Sequence, residues 1–419
     1  MKVAILGVGT VGSEVANILI KNKDIILARA GVSIEPVIGL VRDTSKKRDV
    51  KIPLSSDAGS IIERDDIDVF VELMGGVEKP YEIVSEILKR KKAVVTANKA
   101  LLAYHRYKLQ ALAGDTPFGF EASVAGGIPI IKTLREGLSA NRIEKIIGIV
   151  NGTSNFILTN MMQKNEKFED ALKQAQELGY AEADPSFDIG GFDAAHKLLI
   201  LASIAYGVHG DPEDILIEGI EEITQEDIYF AREFDFIIKL LAVAKRACDN
   251  KVELRVHPAL ISKDQMLSKV DGVMNGVSIY GDCVGESMYY GPGAGGSATA
   301  SAVISDLIDI ARDNKNPMLG YKILPSENFM QILPSEQIRT KYYFRLRVRD
   351  EKGVLAKLMS LNDLSIDSFL QKPKLKTDEE VTLFFTTHTC CEKDIKRAIS
   401  VISGENFITQ KPFMIRIES

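Results

Sequence analysis

The sequence predicts an α/β protein: a doubly wound, Rossmann-type dinucleotide-binding domain, then an α+β catalytic domain, then a small ferredoxin-like module. Three observations carry this reading. Short apolar runs alternate with helical periods over the first third of the chain, a glycine turn "GVGTVG" separates the first run from the first helix, and strand-like alternation restarts near residue 340.

In order, 2–9 reads as a strand, 11–22 as a helix, 35–43 and 68–75 as strands, 80–92 as a helix and 93–99 as a strand. Strands separated by helices imply a parallel sheet covered on both faces. From about residue 130 the segments lengthen, with helices at 168–180 and after Lys197, and an acidic run at 217–234. A further helix falls at 297–314, and the Pro-containing stretch 323–337 reads as a linker. The expected domains are therefore 1–130 for the dinucleotide, with a helix returning to it near 297–320, 131–296 for catalysis and dimerisation, and 340–419 for the terminal module. In that module Phe344, Leu346 and Val348 alternate with Arg345, Arg347 and Arg349, which predicts a strand with one buried and one wet face. A short helix (353–360), two strands (364–371, 380–388), a helix (392–402) and a last strand (412–418) complete a βαββαβ order.

At 419 residues the chain exceeds what one small core requires, and two or three domains are expected. A net charge of −6 gives no reason to expect nucleic acid or an anionic membrane as partner. The apolar run at 198–205 is far too short to span a bilayer. Cys248, Cys283, Cys390 and Cys391 lack zinc-site spacing, so reduced thiols in a cytoplasmic protein are the expectation. For Cys390 and Cys391, an intersubunit disulfide and two idle thiols both stay open.

The glycine turn sits where a strand meets a helix, which makes it a dinucleotide signal. Gly7, Val8, Gly9, Thr10, Val11 and Gly12 would bring a pyrophosphate close to a helix N-terminus. The second strand ends in "LVRD": Arg42 suits a 2′-phosphate and Asp43 a free ribose, so NADP is favoured and NAD is the alternative.

The stretch "EADPSFDIGGFDAAHK" ends in a lysine that opens an apolar helix. Gly190 and Gly191 break the chain, Asp193 falls in the first helical turn, and Lys197 lies four residues on, on the same face. A plain i,i+4 salt bridge is the commoner meaning of such a pair. Against it stands the apolar character of the helix: a lysine in a low-dielectric pocket has a depressed pKa and can move protons. Lys99, at the end of a predicted strand, would face the ligand crevice of a doubly wound sheet. His196 is adjacent to Lys197 in sequence and points elsewhere on the helix. Asp184 and Asp188 read equally well as supports of the site and as a solvated acidic loop.

These blocks, with "TANKALLA", "EASVAGGIPII", "NGTSNFILT" and "GPGAGGSATASAVISDLI", resemble the homoserine dehydrogenases along the whole chain, and "GYAEADPSFDIGGFDAAHK" is highly specific to that family. The resemblance implies NAD(P)-dependent interconversion of L-homoserine and L-aspartate 4-semialdehyde, a step toward threonine, methionine and isoleucine. It implies that Lys197 is catalytic with Asp193 its partner, and that Lys99 lies between cofactor and substrate. Which lysine transfers the proton stays open. It further implies that Glu182 binds the substrate's amino group, that Tyr180, Gly152 and Thr153 line its pocket, and that Gly179 and Gly295 touch the cofactor. Backbone carbonyls of Glu121, Val124, Gly126 and Ile128 would hold a monovalent cation, usually sodium. The tail resembles an ACT domain, which implies a threonine effector; its shortened first helix leaves a plain dimerisation module as the other reading. A homodimer or homotetramer is expected. Two rivals were weighed on residues. A phosphorylating semialdehyde dehydrogenase needs a cysteine nucleophile, and no cysteine falls in the first half of the chain. A catalytically silent amino-acid sensor would have no need of Lys99, Glu182, Asp193 and Lys197 together.

Overall fold

Strands Lys2–Leu6, Val69–Glu72 and Ala93–Thr96 are apolar at nearly every position and buried at nearly every position, the pattern of a sheet covered on both faces. The computed structural model describes residues 1–248, 250–314, 316–322, 330–360, 364–371 and 380–418. Its first sheet is parallel, in the order Leu54–Ser55, Glu35–Leu40, Lys2–Leu6, Val69–Glu72, Ala93–Thr96, Phe118–Gly119. The order reverses between Lys2–Leu6 and Val69–Glu72, and a ligand crevice is expected beyond the carboxyl ends there. The chain leaves the first strand through Gly7, at φ +108°, where a Cβ would stand 2.5 Å from the Leu73 carbonyl oxygen. Helix Gly296–Ala311 packs against helix Thr10–Lys21, with Ala300, Val303 and Leu307 in one core with Val3, Val15 and Val71.

The catalytic part is built on a second sheet whose long strands Phe236–Arg246 and Lys251–Ser262 pair antiparallel along their whole length. Sequence reading did not find these strands. Both are buried on both faces; Phe236–Arg246 is apolar but for Lys239 up to its last two residues and shows no period-two signal, whereas Lys251–Ser262 alternates Val252, Leu254 and Val256 with the buried Glu253, Arg255 and His257. Helix Phe192–Tyr206 packs against both of them and is buried on most of its circumference, so Lys197 is indeed carried into an apolar layer.

The terminal module has the sheet order Phe413–Glu418, Arg339–Arg349, Glu380–Thr387, Ile366–Gln371, with helices Val354–Ser360 and Glu392–Ser403: a ferredoxin-like arrangement. It is not a free-standing sheet. Ala259–Ile261 pair parallel with Arg416–Glu418, so one sheet of 12 strands runs through the catalytic part and the module. The expected wet arginine face is exposed at Arg349 and partly covered at Arg345 and Arg347. Arg345 pairs with Asp227 and Arg347 with Glu226 at 3.0 Å, because the acidic helix Gln225–Glu233 docks on that face. The first part of the expected linker (323–329) and the turn after the first module helix (361–363) lie outside the described residues. Cys390 and Cys391 pair with Thr340 and Arg339 on the neighbouring strand, and all four cysteines are free thiols. Among the described residues, no helix is long and apolar enough to cross a membrane.

Asp227 is 1% exposed and accepts from the Tyr343 hydroxyl at 2.7 Å besides pairing with Arg345. Asp227→Ala strands both partners at the junction. It should cost about 3 kcal/mol, read as a lowered midpoint of urea unfolding.

Candidate active site

Asn98 caps helix Lys99–Ala113: its Oδ1 accepts from the Leu101 amide at 3.0 Å, while its Nδ2 donates to the Gly76 carbonyl at 2.8 Å. Lys99 thereby becomes the first helical residue directly after the strand Ala93–Thr96, at the carboxyl edge of the parallel sheet. Its Nζ lies 2.5 Å from Asp193 Oδ1. On the other side Lys197 Nζ donates to Asp193 Oδ2 at 2.8 Å and to the Val150 carbonyl at 2.6 Å. One carboxylate therefore holds two ammonium groups that come from different sheets of the fold.

The surroundings sort the three groups. Burial alone would raise the Asp193 pKa, but the two lysines outweigh it and hold the carboxyl well below the usual carboxylate range. Burial pushes the Lys197 ammonium down; Asp193 opposes this and Lys99 reinforces it, leaving the pKa below that of an ordinary lysine. For Lys99 burial is outweighed by Asp193, with help from Asp188 and Glu182, and the pKa is raised.

Asn151 completes the frame, and sequence reading missed it. Its Oδ1 caps helix Gly152–Lys164 through the Ser154 amide at 2.8 Å, and its Nδ2 donates to Asp193 Oδ2 at 2.9 Å and to Asp188 Oδ1 at 2.7 Å. The signal was present in "NGTS", an asparagine opening a helix. Asp188 joins the same cluster through Asn151, and its Oδ2 lies 3.2 Å from the Thr153 hydroxyl oxygen. Gly152 and Thr153 start that helix, and Thr153 donates to the Tyr180 carbonyl at 2.8 Å, which draws the Gly179–Glu182 turn to this side. Tyr180 and Glu182 are exposed at its rim. His196 packs edge-on against Tyr104 and Phe187 and does not join the chain of polar contacts.

Gly7, Val8, Gly9 and Arg42 line a cleft of about 420 Å³ beside the parallel sheet, with Arg48 and Lys79. A Cβ on Gly12 would overlap the Gly7 carbonyl, so the turn is closed tightly under Thr10 and Val11, the first residues of the helix. Arg48 is spent inside the loop, donating to the carbonyls of Val8 (2.9 Å), Asp43 (2.8 Å) and Lys46 (2.9 Å); Asp43 accepts from Ser45. The Arg42 side chain is left exposed at the cleft. Gly295 precedes helix Gly296–Ala311, whose first residue abuts Thr10 and Glu14, so it lies by the glycine turn. Gly179, at φ +75°, ends a helix on the Tyr180 side instead.

Glu121, Val124, Gly126 and Ile128 fall in one buried loop, with Ala125 and Gly126 both left-handed at φ +53° and +49°. The Glu121 carboxylate is occupied, accepting from the amides of Ile131 (2.9 Å) and Lys132 (2.8 Å). Burial, with Asp306 nearby, pushes its pKa up to about 7. The buried Glu72 accepts from the Thr96 hydroxyl at 2.6 Å and the Met74 amide at 2.8 Å, tying together the two loops that flank Lys99.

Comparison with known proteins matches residues 7–118 to the family described as homoserine dehydrogenase, NAD binding domain, and residues 129–308 to homoserine dehydrogenase. A homoserine dehydrogenase of Helicobacter pylori is 51% identical, covering 100% of this chain and 99% of its own; one of Pseudomonas aeruginosa is 42% identical with the same coverage. The crystal structure of a homoserine dehydrogenase from Thiobacillus denitrificans superposes with a TM-score of 0.93 at 44% identity, covering 100% of this chain and 98% of that one. A hyperthermophilic archaeal homoserine dehydrogenase in complex with NADPH is 30% identical, with a TM-score of 0.62 over 74% of this chain and 96% of its own. Likeness of this degree along the full length, in sequence and in fold, leaves one conclusion: the chain belongs to the homoserine dehydrogenase family.

Proposed function

We propose that this chain carries out the reversible, NADP-linked interconversion of L-homoserine and L-aspartate 4-semialdehyde, with Lys197 exchanging the proton of the substrate oxygen. The observation that carries the reading is the single carboxylate of Asp193 shared by two lysines with opposite pKa shifts. Lys197, the one pushed down, is the better placed of the two to give and take a proton. Lys99, kept cationic, orients the substrate oxygen and offsets charge developing on it. Two of the Lys197 N–H directions are fixed by Val150 and Asp193, which leaves the third for the substrate. When bound, the nicotinamide supplies the hydride acceptor or donor for the terminal carbon.

The cofactor's diphosphate fits the Gly7–Gly12 turn, where only hydrogen fits at Gly7 and Gly12. Arg42 is the group placed to hold a 2′-phosphate, since Arg48 is already committed. At the substrate's other end, the exposed Glu182 provides a carboxylate for the ammonium group, beside Thr153 and Tyr180. The loop of Glu121, Val124, Gly126 and Ile128 suits a sodium-like cation bound by carbonyl oxygens, because its one carboxylate is turned to backbone amides. Such an ion would brace the loop rather than touch the substrate. The ferredoxin-like order of the tail supports an amino-acid-responsive, ACT-like module, with threonine the effector to test and a dimer or tetramer as the assembly.

The deciding experiment is the initial rate of homoserine oxidation by the purified protein, with NADP and NAD in parallel and sodium present. Lys197→Ala should lower kcat by roughly a hundredfold or more while NADP affinity changes little; near-normal turnover would remove Lys197 from the mechanism. Arg42→Ala should raise the KM for NADP roughly tenfold, the value of a charge-assisted contact, and leave the KM for NAD unchanged. Oxidation requires neutral Lys197, so its rate should rise with pH along a limb below the ordinary lysine value of 10.5. Asp193→Asn removes the group that holds the Lys197 pKa up, and should move that limb to lower pH while reducing kcat.

A further inference from the structure

The turn that launches the catalytic helix is held from behind by the segment 216–220. Gly191, at φ +87°, precedes helix Phe192–Tyr206. A Cβ there would meet Ile217 at 3.2 Å and the Glu218 carbonyl at 3.4 Å. A Cβ on Gly219 would stand 2.7 Å from the Ile189 carbonyl and 2.9 Å from Gly190 Cα. The Ile220 amide donates to the Ile189 carbonyl at 3.0 Å, and the Glu218 amide to Val256 at 2.8 Å. Gly219 lies directly on the Ile189–Gly190 backbone, and the Val256 and Ile217 side chains fill the space beside Gly191, so a shift of one segment shifts the other.

Leu216 and Ile217 pair with Arg255 and Val256, and a further hold on the segment comes from the terminal module. The Arg416 guanidinium donates to both carboxylate oxygens of Glu218, at 2.7 and 2.9 Å. The same guanidinium holds both oxygens of Glu392 at 3.0 and 2.5 Å, and Tyr342 donates to Glu392 at 2.7 Å. Arg416 and Glu392 are wholly buried, whereas the Glu218 side chain is 35% exposed. The module thus has its own complete ion pair, and Glu218 is an added ligand of it reaching in from the catalytic part.

We propose that Glu218, clamped by Arg416, is a positioning residue: it seats the Gly190–Gly191 turn and thereby sets the distance of Asp193 from Lys99. The inference rests on the proposed role of the Asp193 cluster. It also gives the terminal module a direct mechanical hold on the catalytic helix.

The test is Glu218→Ala in the full chain, assayed for kcat, for NADP affinity and for the isotope effect with homoserine deuterated at its terminal carbon. Arg416 keeps Glu392, so the fold is retained, and the thermal midpoint is recorded alongside. A displaced helix slows the chemical step: kcat should fall roughly tenfold, the isotope effect should rise, and NADP affinity should hold. Glu218→Gln, which keeps the reach and one hydrogen bond, folds in any case and should show the same changes in smaller measure. Wild-type rate and isotope effect in both variants overturn the proposal. So does a rate loss matched by a loss of folded protein at unchanged isotope effect. An active Lys197→Ala beside a slow Glu218→Ala would discard the lysine assignment and keep the clamp.

Discussion

Asp193 is the point at which the two halves of this protein meet chemically. It is 2% exposed, and a lone carboxylate there would be protonated or would destabilise its layer. It stays charged because one lysine reaches it from the parallel sheet and another from its own helix. The requirement runs both ways for Lys197, whose side chain is 12% exposed, and less so for Lys99, whose side chain is 36% exposed. On the proposed mechanism, stability and reactivity at this site are set by the same three groups. The relative placement of the two sheets is part of the chemistry as much as of the fold.

Around that cluster the chain uses helix and strand termini as its tools. Asn98 and Asn151 each cap a helix with the amide oxygen and spend the amide nitrogen on the site or on a loop beside it. Glu72, at the end of a neighbouring strand, ties down the loop after it. Such caps fix side chains to within the tolerance that proton and hydride transfer demand, because their geometry is that of the backbone.

The sequence made the Rossmann segment, the glycine turn and the Asp193–Lys197 pair legible, because each rests on local periodicity or on spacing within one helical turn. Lys99 was legible as a strand-end residue, but its contact with Asp193 is a tertiary fact. Asn151 and Val150 contribute through an amide and a carbonyl, and residue type says little about where a carbonyl points. The strand at 236–246 escaped because burial on both faces erases alternation; the strand at 251–262 does alternate, with Val252, Leu254 and Val256 against Glu253, Arg255 and His257, and was legible. The alternation of Arg345, Arg347 and Arg349 marks a strand, and its polar face is wet at Arg349 but partly covered at the other two. An acidic helix more than a hundred residues earlier neutralises them, and no local window contains both.

The shared sheet has a consequence for how the chain reaches its native state. Strand Lys251–Ser262 gains the neighbour that covers its end from residues far along the chain; Arg255 and Glu418, which pair at that seam, are 163 residues apart. Until the ferredoxin-like module has formed, that stretch of backbone is an open edge, and Arg255 has only Glu253 of its own strand, at 3.2 Å, as a carboxylate partner. The slow step of folding should be the docking of two preformed units across this seam, as expected for pairings of high sequence separation. During that interval the uncovered edge is where copies of the chain would adhere to one another. The yield of refolded enzyme should thus depend on protein concentration.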